Sequence, residues 1–289
     1  MKPKFAEIRD RLKFVKSESG QDHDLSIFPD FLIVGPQRTG TTWLHENLIE
    51  HPQVFMPLEK EIYYFNNLRT AKWHVGDLPP VSQDLGWYLN FFRPSEQFLE
   101  KRNRECQARW GEAYDPYVRG EGTATYSVVL ADDPEILREL TTLNPDVKVL
   151  TMVRNPIDRA WSHAKKDLAK LQKRPSKDIP DSEWIGFVKH SYQIACGHYG
   201  RQHERWRSAL KEGNLFVGRF DEISRDPVGL LTRAYSFLGI RADAKYAGAH
   251  AKELVNPTET ASIPPAVREV LDSIYRDEVT RLRSLGMID

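Results

Sequence analysis

The chain has 289 residues, with 41 Lys or Arg against 41 Asp or Glu, so its formal net charge at neutral pH is zero. That balance argues against bulk nucleic-acid binding. Mean hydropathy is −0.55, and no apolar run approaches the roughly 18–20 residues of a membrane span.

The opening MKPKFAEIRDRLKFVK is basic but lacks the apolar core of a signal peptide. Cys106 and Cys196 stand far apart and make no disulfide framework. The expectation is a cytoplasmic protein with no membrane span, long enough for one large α/β domain over 1–289. Within residues 1–25, Phe5, Ile8, Leu12 and Val15 recur at helical spacing, which predicts a short amphipathic N-terminal arm that docks on its own domain or frays, with a membrane-surface helix as the alternative.

The first strong signal is FLIVG, Phe31 to Gly35, a short apolar run that ends at glycine. A loop and the pattern TTWLHENLIEH follow, with Leu44 and Leu48 on one helical face and Pro52 as a stop. Residues 66–120 carry Trp73, Trp87, Tyr88, Phe91, Phe92 and Trp110 without a clear period. A second strand is predicted at Val147 to Val153, followed by Asn155 as N-cap and Pro156 in the first helical turn. Residues 172–183 read as an exposed loop, 214–220 as a third strand after a helix, and the segment from about Ala266 as a closing helix. Strands alternating with helices imply a mostly parallel sheet covered on both faces.

The loop Gly35 to Leu44 reads G-P-Q-R-T-G-T-T-W-L. A glycine loop running into a helix N-terminus makes a site for a phosphate-like anion, although spaced glycines also make ordinary turns. The ATP-binding pattern G-x-x-x-x-G-K-[ST] is met at Gly35, Gly40 and Thr42, but Thr41 stands where the lysine belongs. Arg38 is the loop's basic residue. No H-E-x-x-H, C-x-x-C or G-x-S-x-G appears, so neither a metal centre nor a nucleophile elbow is expected.

R-T-G-T-T-W resembles the K-[ST]-G-T-T-[WAS] loop of sulfotransferases that use 3′-phosphoadenosine 5′-phosphosulfate (PAPS). Lys60-Glu61-Ile62-Tyr63-Tyr64-Phe65-Asn66 is similar to the E-x-x-F-F segment of the carbohydrate, heparan-sulfate-type branch. Val153 to Ser162, VRNPIDRAWS, resembles the family's R-[DN]-P-x-x-R-A-x-S. The three blocks occur in the family's order.

The resemblance implies a P-loop-like three-layer α/β domain with a mostly parallel central sheet flanked by helices. It implies an O-sulfotransferase that moves a sulfuryl group from PAPS to a hydroxyl acceptor, a carbohydrate, lipid or small metabolite, without a metal. Arg38, Thr39, Gly40, Thr41 and Thr42 would hold the 5′-phosphosulfate, with Arg38 neutralising charge on the leaving oxygen. Trp43 would stack on adenine, or else serve as a core aromatic. Arg154 and Ser162 would hold the 3′-phosphate, and Glu61 would be the base, with Glu59 as its decoy and a solvated turn as the plain alternative for both. Lys60 either steadies the sulfuryl oxygens or stands exposed, and the I-Y-Y-F run resembles a strand packed beneath the site.

Three departures stand out. Arg38 replaces a lysine and cannot give up a proton. Gly122 stands where heparan-sulfate-type members often carry lysine, and Tyr63 where some relatives have histidine. The basic run of Arg159, Lys165, Lys166, Lys170, Lys173, Arg174 and Lys177 reads as a solvated face. The rival activity is a P-loop nucleotide kinase or NTPase, and the rival class a nucleotide-binding module without turnover.

Overall fold

The computed structural model describes residues 2–17, 21–68, 84–252 and 261–289. Trp73 lies outside them. Five strands form one parallel sheet: β1 (Phe31–Ile33), β2 (Val54–Phe55), β3 (Val118–Gly122), β4 (Lys148–Val153) and β5 (Leu215–Arg219). Their spatial order is β2-β3-β1-β4-β5. The chain leaves β1 toward β2 and leaves β4 toward β5, so the order reverses between β1 and β4. In open parallel sheets that reversal opens a crevice at the strands' carboxyl ends, where ligands bind.

Side-chain alternation along β1 explains the three layers. Leu32 and Val34 enter a core on one face, with Tyr88, Tyr126 and Leu140. Phe31 and Ile33 enter a second core on the other face, with Leu44, Leu48 and Leu231. Helices cover these faces, among them α1 (Thr41–Glu50), α2 (Leu85–Asn90), α3 (Glu96–Trp110), α4 (Tyr126–Asp132) and α5 (Pro134–Leu143), with the helix Pro227–Leu238 on the second core, while α6 (Pro156–Ala164) follows β4. A third core joins α6 to the closing helix Pro265–Ser284. The strands and helices expected around residues 31, 148, 156, 215 and 265 are all present. The aromatic stretch without a period resolves into α2 and α3, and the loop expected at 172–183 contains a 3-10 turn, Ser176–Asp178. Among the described residues no helix is long and apolar enough to cross a membrane.

The N-terminal arm docks on its own domain. Its helix covers only Phe5–Ile8, whose two apolar residues are buried in the first core. Beyond it the backbone turns so that the N–H groups of Lys13, Phe14 and Val15 all donate to the Glu139 carboxylate on α5, at 2.9, 3.2 and 3.2 Å. Glu139 is itself buried. Glu139→Ala leaves three backbone donors unmet, and hydrogen bonds to a charged group are worth about 1.5–3 kcal/mol each. Because the freed donors regain water, the expected outcome is a loss of about 2–4 kcal/mol in unfolding free energy from urea titration, with trypsin cutting the arm at Lys13 or Lys16 well before the rest of the chain. Unchanged trypsin resistance would mean that Phe5 and Ile8 alone hold the arm.

Candidate active site

Loops from β1, β3 and β4 meet at the crevice. The β1 loop turns into α1 at Gly40, whose φ is +98° and where an added Cβ would stand 2.5 Å from Ile223 Cδ1. No side chain caps α1, so its first N–H groups and its dipole are available to an anion. Buried Thr39 ties the loop by donating from Oγ1 to the Pro36 carbonyl at 2.7 Å. Thr41 is buried beside it, and Thr42 is half-buried at the mouth.

Arg38 adopts φ +70°, a conformation rare for residues other than glycine. That turn sends its side chain across the crevice, where Nε donates to Ser162 Oγ at 3.0 Å. Ser162 is positioned by α6, which starts as expected: Asn155 accepts the Ile157 N–H at 3.0 Å and Pro156 fills the first turn. Arg154 donates from Nη1 to the Arg38 carbonyl at 3.1 Å, and its guanidinium lies 4.2 Å over the Phe220 ring. The loop arginine therefore joins the pair expected to form a separate second site. Burial is the main cause holding both guanidiniums below their ordinary pKa, and for Arg38 the neighbouring charge of Arg154 adds to it. An anion between them would relieve both effects.

On the opposite wall stands Glu61. Its N–H donates to the Gly122 carbonyl at 2.9 Å, and its Oε2 accepts the Ala124 N–H at 3.0 Å. Lys60 Nζ donates to Glu61 Oε1 at 3.1 Å and to Thr42 Oγ1 at 3.0 Å. Lys60 thereby links the carboxylate to the anion loop. Glu59 is exposed. The Tyr63 hydroxyl is pushed up to about 12, by burial first and the Glu61 charge second.

Two expectations need correction. Residues 62–65 form no strand: Glu61 and Tyr63 have φ of +64° and +59°, which a strand cannot accommodate, and a 3-10 turn follows at Phe65–Asn67. The basic run is not one solvated face. Arg159 is fully buried, donating from Nη2 to the Gln193 carbonyl at 3.0 Å, and buried Lys165 lies 5.7 Å from the Trp161 ring.

Trp43 is also buried, at 2% exposure, and its indole N–H donates to the Ala251 carbonyl at 3.0 Å. Its ring packs in the second core, as the core-aromatic alternative has it, and shows no open face to a base.

Sequence reasoning missed Glu121. This carboxylate is fully buried behind Glu61 and accepts from the Tyr88 hydroxyl, from Thr123 Oγ1 at 2.8 Å and from the Tyr126 hydroxyl at 3.2 Å. The Tyr126 hydroxyl in turn accepts the Phe65 N–H at 3.3 Å, while Tyr64 stacks on Tyr88 at 4.2 Å. The loop bearing Glu61 is thus held by two tyrosines that meet at one buried carboxylate. The available signal was the E-G-T-A-T-Y run itself, but its partner Tyr88 is remote in sequence.

Burial pushes the Glu121 carboxyl from its ordinary 4.5 up to about 7, against the hydrogen bonds that favour its charged form. A folded value above the unfolded one means the native state binds the proton more tightly. The contribution of Glu121 to stability should be fully present below pH 4.5, be lost as pH rises through about 7 and level off beyond, a loss on the order of 3 kcal/mol. Glu121→Gln is expected to flatten that slope in urea titrations repeated across pH. An unchanged slope would assign the pH dependence to other groups.

The sulfotransferase domain family matches residues 28–263 of this chain. The human bifunctional heparan sulfate N-deacetylase/N-sulfotransferase 2 is 28% identical over 235 residues, which are 75% of this chain and 23% of that protein. The chain therefore spans about a quarter of that relative's length. Among solved structures, a sulfotransferase from Alicyclobacillus acidocaldarius aligns with TM-score 0.64 at 24% identity, covering 90% of this chain and 96% of that one. Mouse sulfotransferase SULT7A1 complexed with PAP aligns at 0.51 and 16% identity, covering 95% and 96%. These two likenesses speak to the fold, whose strand order places the glycine loop at the crevice. With the family match running from the residues before β1 to beyond β5, the chain belongs to the sulfotransferase domain family.

Proposed function

We propose that this chain transfers a sulfuryl group from PAPS to a hydroxyl of a carbohydrate, lipid or small-metabolite acceptor, with Glu61 as the base. The carrying observation is the contact between Glu61 and the anion loop: Lys60 bridges the Glu61 carboxylate and Thr42. In-line sulfuryl transfer, like phosphoryl transfer, needs positioned anions, neutralised charge and a group to take the acceptor proton. The loop Arg38 to Thr42 takes the 5′-phosphosulfate, and Arg154 and Ser162 the 3′-phosphate. The proposal requires no metal. It includes a cytoplasmic location, for which two free, buried thiols, Cys106 and Cys196, speak.

Against a kinase or NTPase stands the loop itself, with Thr41 in place of the phosphate-binding lysine. PAPS should therefore support turnover in EDTA, whereas ATP with Mg²⁺ should not act as a donor. The relative's name points to amine transfer, and a carboxylate base serves either heteroatom. Heparosan, a lipid alcohol and a phenol, assayed beside de-N-acetylated heparosan, separate the two. Transfer confined to the amine-bearing polymer overturns the hydroxyl assignment.

Two variants test the residue roles. Glu61→Gln keeps the shape of the side chain and is expected to lower turnover roughly 10²–10⁴-fold while leaving bisphosphate affinity unchanged. Wild type should prefer adenosine 3′,5′-bisphosphate to 5′-AMP by on the order of 10²–10³, as two hydrogen bonds to a charged group imply. Arg154→Ala should erase most of that preference in calorimetry. Equal weakening of both nucleotides would remove Arg154 from the 3′-phosphate site.

A further inference from the structure

The loop arginine and the lysine beside the base have unexpected partners, and together these suggest a division of labour. Arg38 spends its Nε on Ser162, on the β4 side of the crevice. A guanidinium stays protonated under all conditions where proteins fold, so Arg38 can neutralise an anion but cannot pass a proton to it. Lys60 is different in both respects. Its ammonium touches Thr42 Oγ1, in the first turn of α1 where the helix attracts an anion, and at the same time touches Glu61 Oε1.

The Lys60 stem runs past Gly122. A Cβ at 122 would stand 3.7 Å from Lys60 Cε and 3.2 Å from His45 Cδ2, so the lysine stem lies against bare backbone. A larger side chain there would contend for the same space. His45 adds no charge beside it, because burial pushes its pKa down to about 4.

We infer that Lys60 is the group that protonates the leaving phosphate oxygen, and that Glu61 returns the proton to it. This rests on Glu61 being the base. In the step, the acceptor heteroatom forms a bond to sulfur as the bond between sulfur and the bridging oxygen breaks, its electron pair staying on the phosphate. The acceptor proton goes to Glu61, and a proton from Lys60 Nζ goes to the phosphate oxygen. The neutral amine then recovers a proton from Glu61 across the 3.1 Å hydrogen bond. The net change is one proton moved from acceptor to phosphate, with both side chains restored.

Phosphorus NMR of bound adenosine 3′,5′-bisphosphate tests the contact without any acceptor, since the two phosphates give separate signals. With Lys60 against the 5′-phosphate, Lys60→Met should raise the pH at which the 5′ signal titrates, toward the free value of about 6. The 3′ signal should not move. A 5′ titration indifferent to Lys60→Met overturns the proposal.

Turnover of PAPS, read as bisphosphate formed, tests the chemistry. Lys60→Arg keeps the charge and not the transferable proton, so it should stay roughly 10²–10⁴-fold below wild type, near the level of Lys60→Met. Recovery to near wild-type turnover in Lys60→Arg would show that charge alone suffices and sink the proton-delivery role. Glu61→Gln in the same series separates the two readings. If that variant keeps its turnover, the base assignment fails whatever the lysine variants do.

Discussion

A carboxylate sealed inside the protein decides where another can stand at the surface. Glu121 is taken out of water and given three hydroxyl donors in exchange, and two of those donors are tyrosines that also grip the loop after β2. Removing a carboxylate from water without donors costs several kcal/mol, so the tyrosines are bound to their positions as firmly as the carboxylate needs them. Because Tyr126 holds the Phe65 backbone and Tyr88 underlies the Tyr64 ring, that loop has little freedom left. Glu61 inherits its place from this arrangement, and the Ala124 N–H fixes its carboxylate.

The opposite wall solves a different electrostatic problem. Two guanidiniums crowd one corner of the crevice, and the fold tolerates them through neutral partners: a serine hydroxyl, a backbone carbonyl and the face of Phe220. Neutral partners steady a cation without cancelling its field. Asp167 and Asp158 act on Arg38 and Arg154 from further off, and this wall faces one whose charged pair is Lys60 and Glu61. Strain gathers at the same place. Of the four described non-glycine residues with positive φ, Arg38, Glu61 and Tyr63 line these two walls, consistent with local strain collecting at functional sites.

Much of this was legible in the chain. The strands before Gly35 and Arg154 carry their own punctuation, a glycine and an Asn-Pro cap, and those local signals survive into the structure because nothing competes with them. The approximate positions of Glu61, Arg154 and Ser162 came from motif resemblance. The conformation around Glu61 was not readable: its left-handed backbone goes with tertiary hydrogen bonds to Gly122 and Ala124, and a glutamate side chain does not announce it. The interior role of Arg159 was hidden for a related reason. A run of basic residues looks solvated until the carbonyl of Gln193 arrives from a distant helix to satisfy one of them. Pairings such as Arg38 with Ser162 or Tyr88 with Glu121 depend on topology alone.

The clasp between the N-terminal arm and Glu139 has a consequence for biosynthesis. Lys13 and Glu139 are separated by 126 positions, so the arm leaves the ribosome long before its seat on α5 has been made. Closing so large a loop is entropically costly until the intervening strands have collapsed. Phe5 has a near partner in the His23 ring, but the backbone of Lys13 to Val15 has its partner only once α5 exists. The clasp on Glu139 is consequently a contact that a chain stalled before α5 lacks altogether.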